Sequence, residues 1–98
     1  DISQKQSDKG VLICGTGIGM AVSANKVPNV IAGVCWSKET AKLISQHNKA
    51  NIICLGARTA GVEDICQWIK IFLDTEFEQR HSKRISKILQ IEKMYLKS

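Results

Sequence analysis

Apolar residues along this chain gather in short runs separated by polar and glycine-bearing segments. Val11-Leu12-Ile13-Cys14 is the first run, Val30 to Cys35 the second, and Asn51-Ile52-Ile53-Cys54-Leu55, closed by Gly56, the third. Runs of this length bounded by turn residues predict strands. Between the first two, the small residues from Met20 to Lys26 predict a helix that stops at Val27-Pro28-Asn29. Ser37 reads as the N-cap of a helix from Glu39 to His47, with Ala41 and Ile44 turned inward. Val62, Ile65, Cys66, Ile69, Phe72 and Leu73 recur at helical spacing and predict one continuous apolar stripe. After Phe77 a last helix carries Ile85, Ile88 and Leu89, with Tyr95 or Leu96, on one face. Residues 1–9 read as a loose polar lead-in, and residues 80–98 as a basic C-terminal helix.

Apolar strands alternating with helices predict a parallel sheet covered on both faces, a Rossmann-like three-layer α/β/α arrangement. With 98 residues, one domain is expected. Three strands are few for such a sheet. Val11–Cys14 is apolar at every position, as a strand buried on both faces would be, and a sheet that began there would leave a bare edge. One or more further strands, or another chain, are expected to cover it. The chain starts at Asp1 rather than Met, so it is expected to be processed or a piece of something longer.

Composition narrows the setting. The chain is 44% hydrophobic and 23% charged, as in a folded soluble domain. Its apolar runs are far short of the roughly 20 residues a membrane span needs. Cys14, Cys35, Cys54 and Cys66 show no C-x-x-C spacing, so zinc and other metals are not expected. A reducing cytoplasm is the simplest home, with Cys35, Cys54 and Cys66 as core residues. Trp36 and Trp68 are expected to pack, although Trp36 sits at a strand tip and could line a cleft. The net charge of +5 lies entirely in residues 80–98, where Arg80, Lys83, Arg84, Lys87, Lys93 and Lys97 face only Glu92. Such an end suits nucleic acid, a phosphorylated small molecule or plain solvation. Tyr95 is its only aromatic residue, too few for stacking on single strands.

Candidate chemistry lies at the first strand's end. Ligands of open α/β sheets sit beyond the carboxyl ends of the strands. There Cys14 is followed by Gly15-Thr16-Gly17-Ile18-Gly19 and then a helix. Backbone N–H groups at such a start can hold a phosphate or an oxyanion, and they lower the pKa of a neighbouring thiol. A dinucleotide fingerprint would need glycine where Met20 stands, and the Walker G-K-[ST] is absent. On residue type alone, a reactive Cys14 and a tight turn around a structural cysteine both fit.

The stretch Val11 to Lys26, VLICGTGIGMAVSANK, resembles the signature of the type B ribose-5-phosphate isomerase and galactose-6-phosphate isomerase family. The likeness continues through Gln46-His47-Asn48, through Asn51 to Arg58, and through Glu76-Phe77-Glu78 with Arg80-His81 and Arg84. It implies a cofactor-independent aldose–ketose isomerase of a sugar phosphate, most simply ribose 5-phosphate. Cys14 would then shuttle a proton between C1 and C2, and the amides of Gly15, Gly17, Ile18 and Gly19 would cradle the enediolate. Thr16 and His47 would open the sugar ring, Asn48 would bind hydroxyls, and Arg58, Arg80 and Arg84 would hold the phosphate. These residue types suit the work: a base near neutral pKa, fixed dipoles, and guanidinium forks that match phosphate oxygens.

The helix ending at His47 must run back from the strand tips for about 15 Å, at roughly 1.5 Å per residue. His47 therefore cannot easily reach its own Cys14, and a homodimer or tetramer with sites shared between subunits is expected. Glu78-Gln79 stands one residue shorter than the Gly-Gly segment usual in the family. The chain resembles the C-terminal two-thirds of such an enzyme, without the Asp-His pair of its first strand, so alone it is expected to be poorly active. Two other classes are a non-catalytic fragment or subunit, and a module that binds nucleic acid through its basic tail.

Overall fold

A computed structural model of the chain describes residues 8–95. Strand β1 (Gly10–Cys14) leads to helix α1 (Ile18–Ala24), β2 (Ala32–Cys35), α2 (Lys38–Gln46), β3 (Ile52–Gly56) and α3 (Val62–Asp74). A 3-10 turn (Gln79–His81) then leads into α4 (Ser82–Tyr95). The three strands are parallel in the order β1-β3-β2, with Leu12 and Val34 both opposite Cys54 and Cys14 opposite Gly56.

β3 is the middle strand, and all five of its residues are buried. Alternation along it feeds two cores. Ile52 and Cys54 meet Ala21 and Val30 on the α1 side, where Leu12 also packs. Ile53 and Leu55 meet Ala41, Ile44, Ile65 and Phe72 on the side of α2 and α3. These layers are the predicted three-layer α/β arrangement.

Local signals explain the ends of the elements. Ser37 caps α2 as expected: its hydroxyl accepts from the Thr40 N–H while Thr40 Oγ1 accepts from the Ser37 N–H, a reciprocal capping box. At the outer edge of β2, the Asn25 amide donates to the Ala32 carbonyl and accepts from its N–H, standing in for a neighbouring strand. α1 begins at Ile18, two residues before the predicted start.

Several expectations change. The α3 stripe is only half covered: Ile65 and Phe72 are buried and Trp68 and Ile69 pack on the core, but Val62 and Leu73 are exposed. Cys66 is exposed and is not a core residue, whereas Cys35 and Cys54 are buried. The reason is that α2 and the sheet cover only one side of α3. Of the lead-in, Lys9 is tied down: its ammonium donates to the Phe72 and Thr75 carbonyls at 2.6 and 3.1 Å and lies over the Phe72 ring. It thereby satisfies carbonyls at the C-terminus of α3 that the helix leaves open. Trp36 is exposed rather than packed. Of the α4 stripe only Ile85 is buried, Tyr95 is exposed, and Leu96 lies outside the described residues.

Candidate active site

Cys14 ends β1 and its side chain is partly exposed. The chain then turns sharply through Gly17, which holds φ +83 and is buried against β3. A Cβ there would come within 3.2 Å of the Cys54 carbonyl oxygen, so both the left-handed backbone and the close approach require glycine. This turn aims backbone N–H groups at the sulfur. The Gly17 N–H donates to Cys14 Sγ at 3.0 Å.

The thiol's pKa is lowered from 9.0. The Met20 N–H in the first turn of α1 contributes most; the N–H groups of Gly17 and Thr16 and the Arg58 guanidinium add to it, against partial desolvation. Dipoles and a cation that favour the thiolate make a sulfur base usable nearer neutral pH. Met20 is a contributor that the sequence reading passed over, because its side chain carries no chemistry. Its place in the first helical turn was the available signal.

Arg58 belongs to the same end of the sheet. The turn after β3 is fastened to the Cys14 loop, with the Ala57 N–H donating to the Cys14 carbonyl at 2.7 Å and the Arg58 N–H to the Gly15 carbonyl at 3.0 Å. The guanidinium lies over Gly15, where an added Cβ would sit 3.2 Å from Nε. Thr16 and Ile18 are exposed on the loop, Thr16 Oγ1 accepting from the Ile18 N–H, and nothing crowds Gly19. Cys14, Thr16, the loop glycines and Arg58 therefore lie together at the strand tips, where peptide N–H groups and a guanidinium favour an anion.

The other expected site residues gather elsewhere. His47 caps the far end of α2, Asn48 follows it, and Arg80 and Arg84 stand on the 3-10 turn and on α4. α2 has nine residues, so this group lies roughly 14 Å along the helix from the strand tips. The 3-10 turn is tied to α2 by the Glu78 N–H, which donates to the Gln46 carbonyl at 2.9 Å. That brings the His81 ring to 4.4 Å from the His47 ring, centroid to centroid. His81 Nε2 is buried without a hydrogen-bond partner. Its pKa is lowered, by burial first and then by Arg80, His47 and Arg84. His81 was not among the expected site residues. Its neighbour in space, His47, is 34 positions away, so spacing gave no signal. Arg80 is exposed and paired with Glu78 at 2.7 Å.

Among the described residues no group of three or more His, Cys, Asp or Glu side chains could hold a metal ion, and no helix is long and apolar enough to cross a membrane.

Known proteins share this chain's sequence and fold. The chain is 44% identical over 96 residues to the probable ribose-5-phosphate isomerase B of Mycoplasma genitalium, covering 95% of this chain and 63% of that one. Against ribose-5-phosphate isomerase B of Escherichia coli it is 38% identical, covering 87% of this chain and 58% of the relative. The type B ribose 5-phosphate isomerase of Trypanosoma cruzi superposes with TM-score 0.91 at 49% identity, over 96% of this chain and 64% of the other. A Mycoplasma genitalium ribose-5-phosphate isomerase B solved with ribulose-5-phosphate bound gives TM-score 0.90 at 39% identity, over 94% of this chain and 62% of the other. The chain thus spans a little under two thirds of these relatives. With the cysteine loop, the parallel sheet and residues 1–88 all matching one family, the chain belongs to the Ribose/Galactose Isomerase family.

Proposed function

We propose that the chain supplies most of an aldose–ketose isomerase acting on a phosphorylated sugar, converting ribose 5-phosphate to ribulose 5-phosphate. The observation that carries this reading is the Cys14 sulfur, partly exposed and held by the Gly17 N–H with Arg58 beside it. Cys14 Sγ takes the proton from C2 of the open-chain sugar. The C–H electron pair forms the C1–C2 double bond while the C1–O1 π pair moves onto O1, which carries the negative charge. The same sulfur returns its proton to C1, and the O2 proton passes to O1 as O2 becomes the ketone. The amides of Gly15, Gly17, Ile18 and Gly19 stabilise the anionic intermediate, and Thr16 assists ring opening.

His47 is the proton donor to the ring oxygen, Asn48 binds sugar hydroxyls, and Arg80 and Arg84 join Arg58 on the phosphate. The separation of His47 from Cys14 along α2 supports a homodimer or tetramer in which one copy's His47 serves the other's Cys14. The bound product in the Mycoplasma genitalium relative supports the choice of substrate. Unpaired cysteines support a cytoplasmic setting.

The partial span favours a second reading, in which this piece is a non-catalytic subunit. Conversion of ribose 5-phosphate by the chain, with the segment it lacks supplied from the Mycoplasma genitalium relative, separates the two. Activity that falls roughly 10²–10⁴-fold in both Cys14→Ala and His47→Ala supports the isomerase. No conversion by the completed parent chain supports the subunit.

A further inference from the structure

The chain has two histidines, and the fold brings them together. His47 ends α2, and His81 ends the 3-10 turn that leads into α4. Backbone bonds dock that turn. Glu78 donates its N–H to the Gln46 carbonyl, one residue before His47, and its own carbonyl accepts from the His81 N–H at 3.1 Å. A single residue thus links the end of α2 to His81. The rings lie 4.4 Å apart, centroid to centroid, tilted by 41°. At that separation they are in direct aromatic contact.

The surroundings disfavour a proton on His81. Its Nε2 is buried and, among the described residues, meets no acceptor, so a proton there would lack a hydrogen bond. Burial is the largest effect against a charge on this ring; Arg80, His47 and Arg84 add to it, and Glu78 alone opposes it. A neutral ring can lie against His47 whether or not His47 is charged, whereas two imidazolium rings would repel. A phosphate ligand would turn its nitrogens outward, and Nε2 is turned inward instead. Among the described residues the His47 ring has no hydrogen bond, and the His81 ring is the aromatic face against it. A proton donor is effective only when its N–H is held toward the accepting atom.

We propose that His81 is a positioning residue for His47: its ring, docked by the 3-10 turn, fixes the orientation of the His47 imidazole. The role deepens the isomerase reading and rests on it, since His47 is there the proton donor to the sugar's ring oxygen. It requires of His81 an aromatic ring and no proton.

The test is steady-state conversion of ribose 5-phosphate by the completed chain as parent, His81→Phe, His81→Ala, His47→Ala, and His47→Ala combined with His81→Ala. His81→Phe keeps a ring against His47 and removes both nitrogens, so kcat stays within about threefold of the parent. His81→Ala lowers kcat at least about tenfold and leaves KM within about twofold. A residue that acts through His47 has nothing further to lose once His47 is gone, so the combined variant matches His47→Ala within about twofold. Proton NMR of the 98-residue chain gives a readout apart from activity: nuclear Overhauser contacts between the His47 ring and the ring at position 81, in the parent and in His81→Phe. Absence of that contact in the parent overturns the proposal. So does His81→Phe as slow as His81→Ala, a raised KM with kcat spared, or an equal loss with and without His47. No conversion by the parent overturns the isomerase reading and the positioning role with it. A contrary pattern in an active parent overturns the positioning role alone.

Discussion

A thiol becomes a useful base only if its surroundings favour the anion, and at Cys14 neutral peptide groups do most of that work. The Met20 and Gly17 N–H groups and the Arg58 guanidinium all favour the thiolate. Iodoacetamide labelling of Cys14 followed against pH should therefore give a midpoint below the 9.0 of an ordinary thiol. A folded pKa below the unfolded one also adds stability above pH 9, and that contribution fades as pH falls through the folded midpoint. Gly17→Ala tests the turn that aims the N–H. Its φ of +83 and its contacts with β3 leave no room for a methyl group. The variant should lose about 1–3 kcal/mol of stability in urea denaturation and shift the Cys14 midpoint upward.

At the scale of elements, the strand and helix order was readable from the sequence because binary patterning reports burial. β3 is apolar throughout and is the strand buried on both faces, and Ser37 caps α2 as its residue type suggests. The same logic misled at α3, where Val62, Cys66 and Leu73 share a stripe with Ile65 and Phe72 yet stay exposed. A stripe records all the burial a sequence was selected for, and these elements supply only part of it. Lys9 could not be found by pattern either, since a lone lysine in a polar stretch gives no hint of the carbonyls it meets across the fold. Phe72→Ala removes the largest fully buried side chain and should destabilise by about 3–5 kcal/mol. Val62→Ser should stay within about 0.5 kcal/mol in the isolated chain, as measured by thermal or urea unfolding.

The whole molecule separates its chemistry. Of the site residues expected from the sequence, Cys14, Thr16, the loop glycines and Arg58 came together at the strand tips. His47, Asn48, Arg80 and Arg84 sit at the other end, where the His81 ring meets that of His47. The length of α2 made that separation legible, while the His47–His81 contact was not, because it depends on how the 3-10 turn docks on α2. If sites are shared, mixing Cys14→Ala and His47→Ala chains, each completed with the missing segment, regenerates one intact site per mixed dimer. Random exchange should then restore roughly a quarter of the parent rate from two inactive proteins.

The most direct test of the central claim, that the Cys14 sulfur carries hydrogen between C1 and C2, is proton NMR of ribose 5-phosphate in D2O with the completed chain. A sulfur carrier predicts loss of the C2 proton signal as a hydrogen appears at C1, retained from C2 or replaced by deuterium to the extent that the thiol exchanges with solvent, all slowed roughly 10²–10⁴-fold by Cys14→Ala with folding unchanged. Loss of that signal at the parent rate in Cys14→Ala would contradict it.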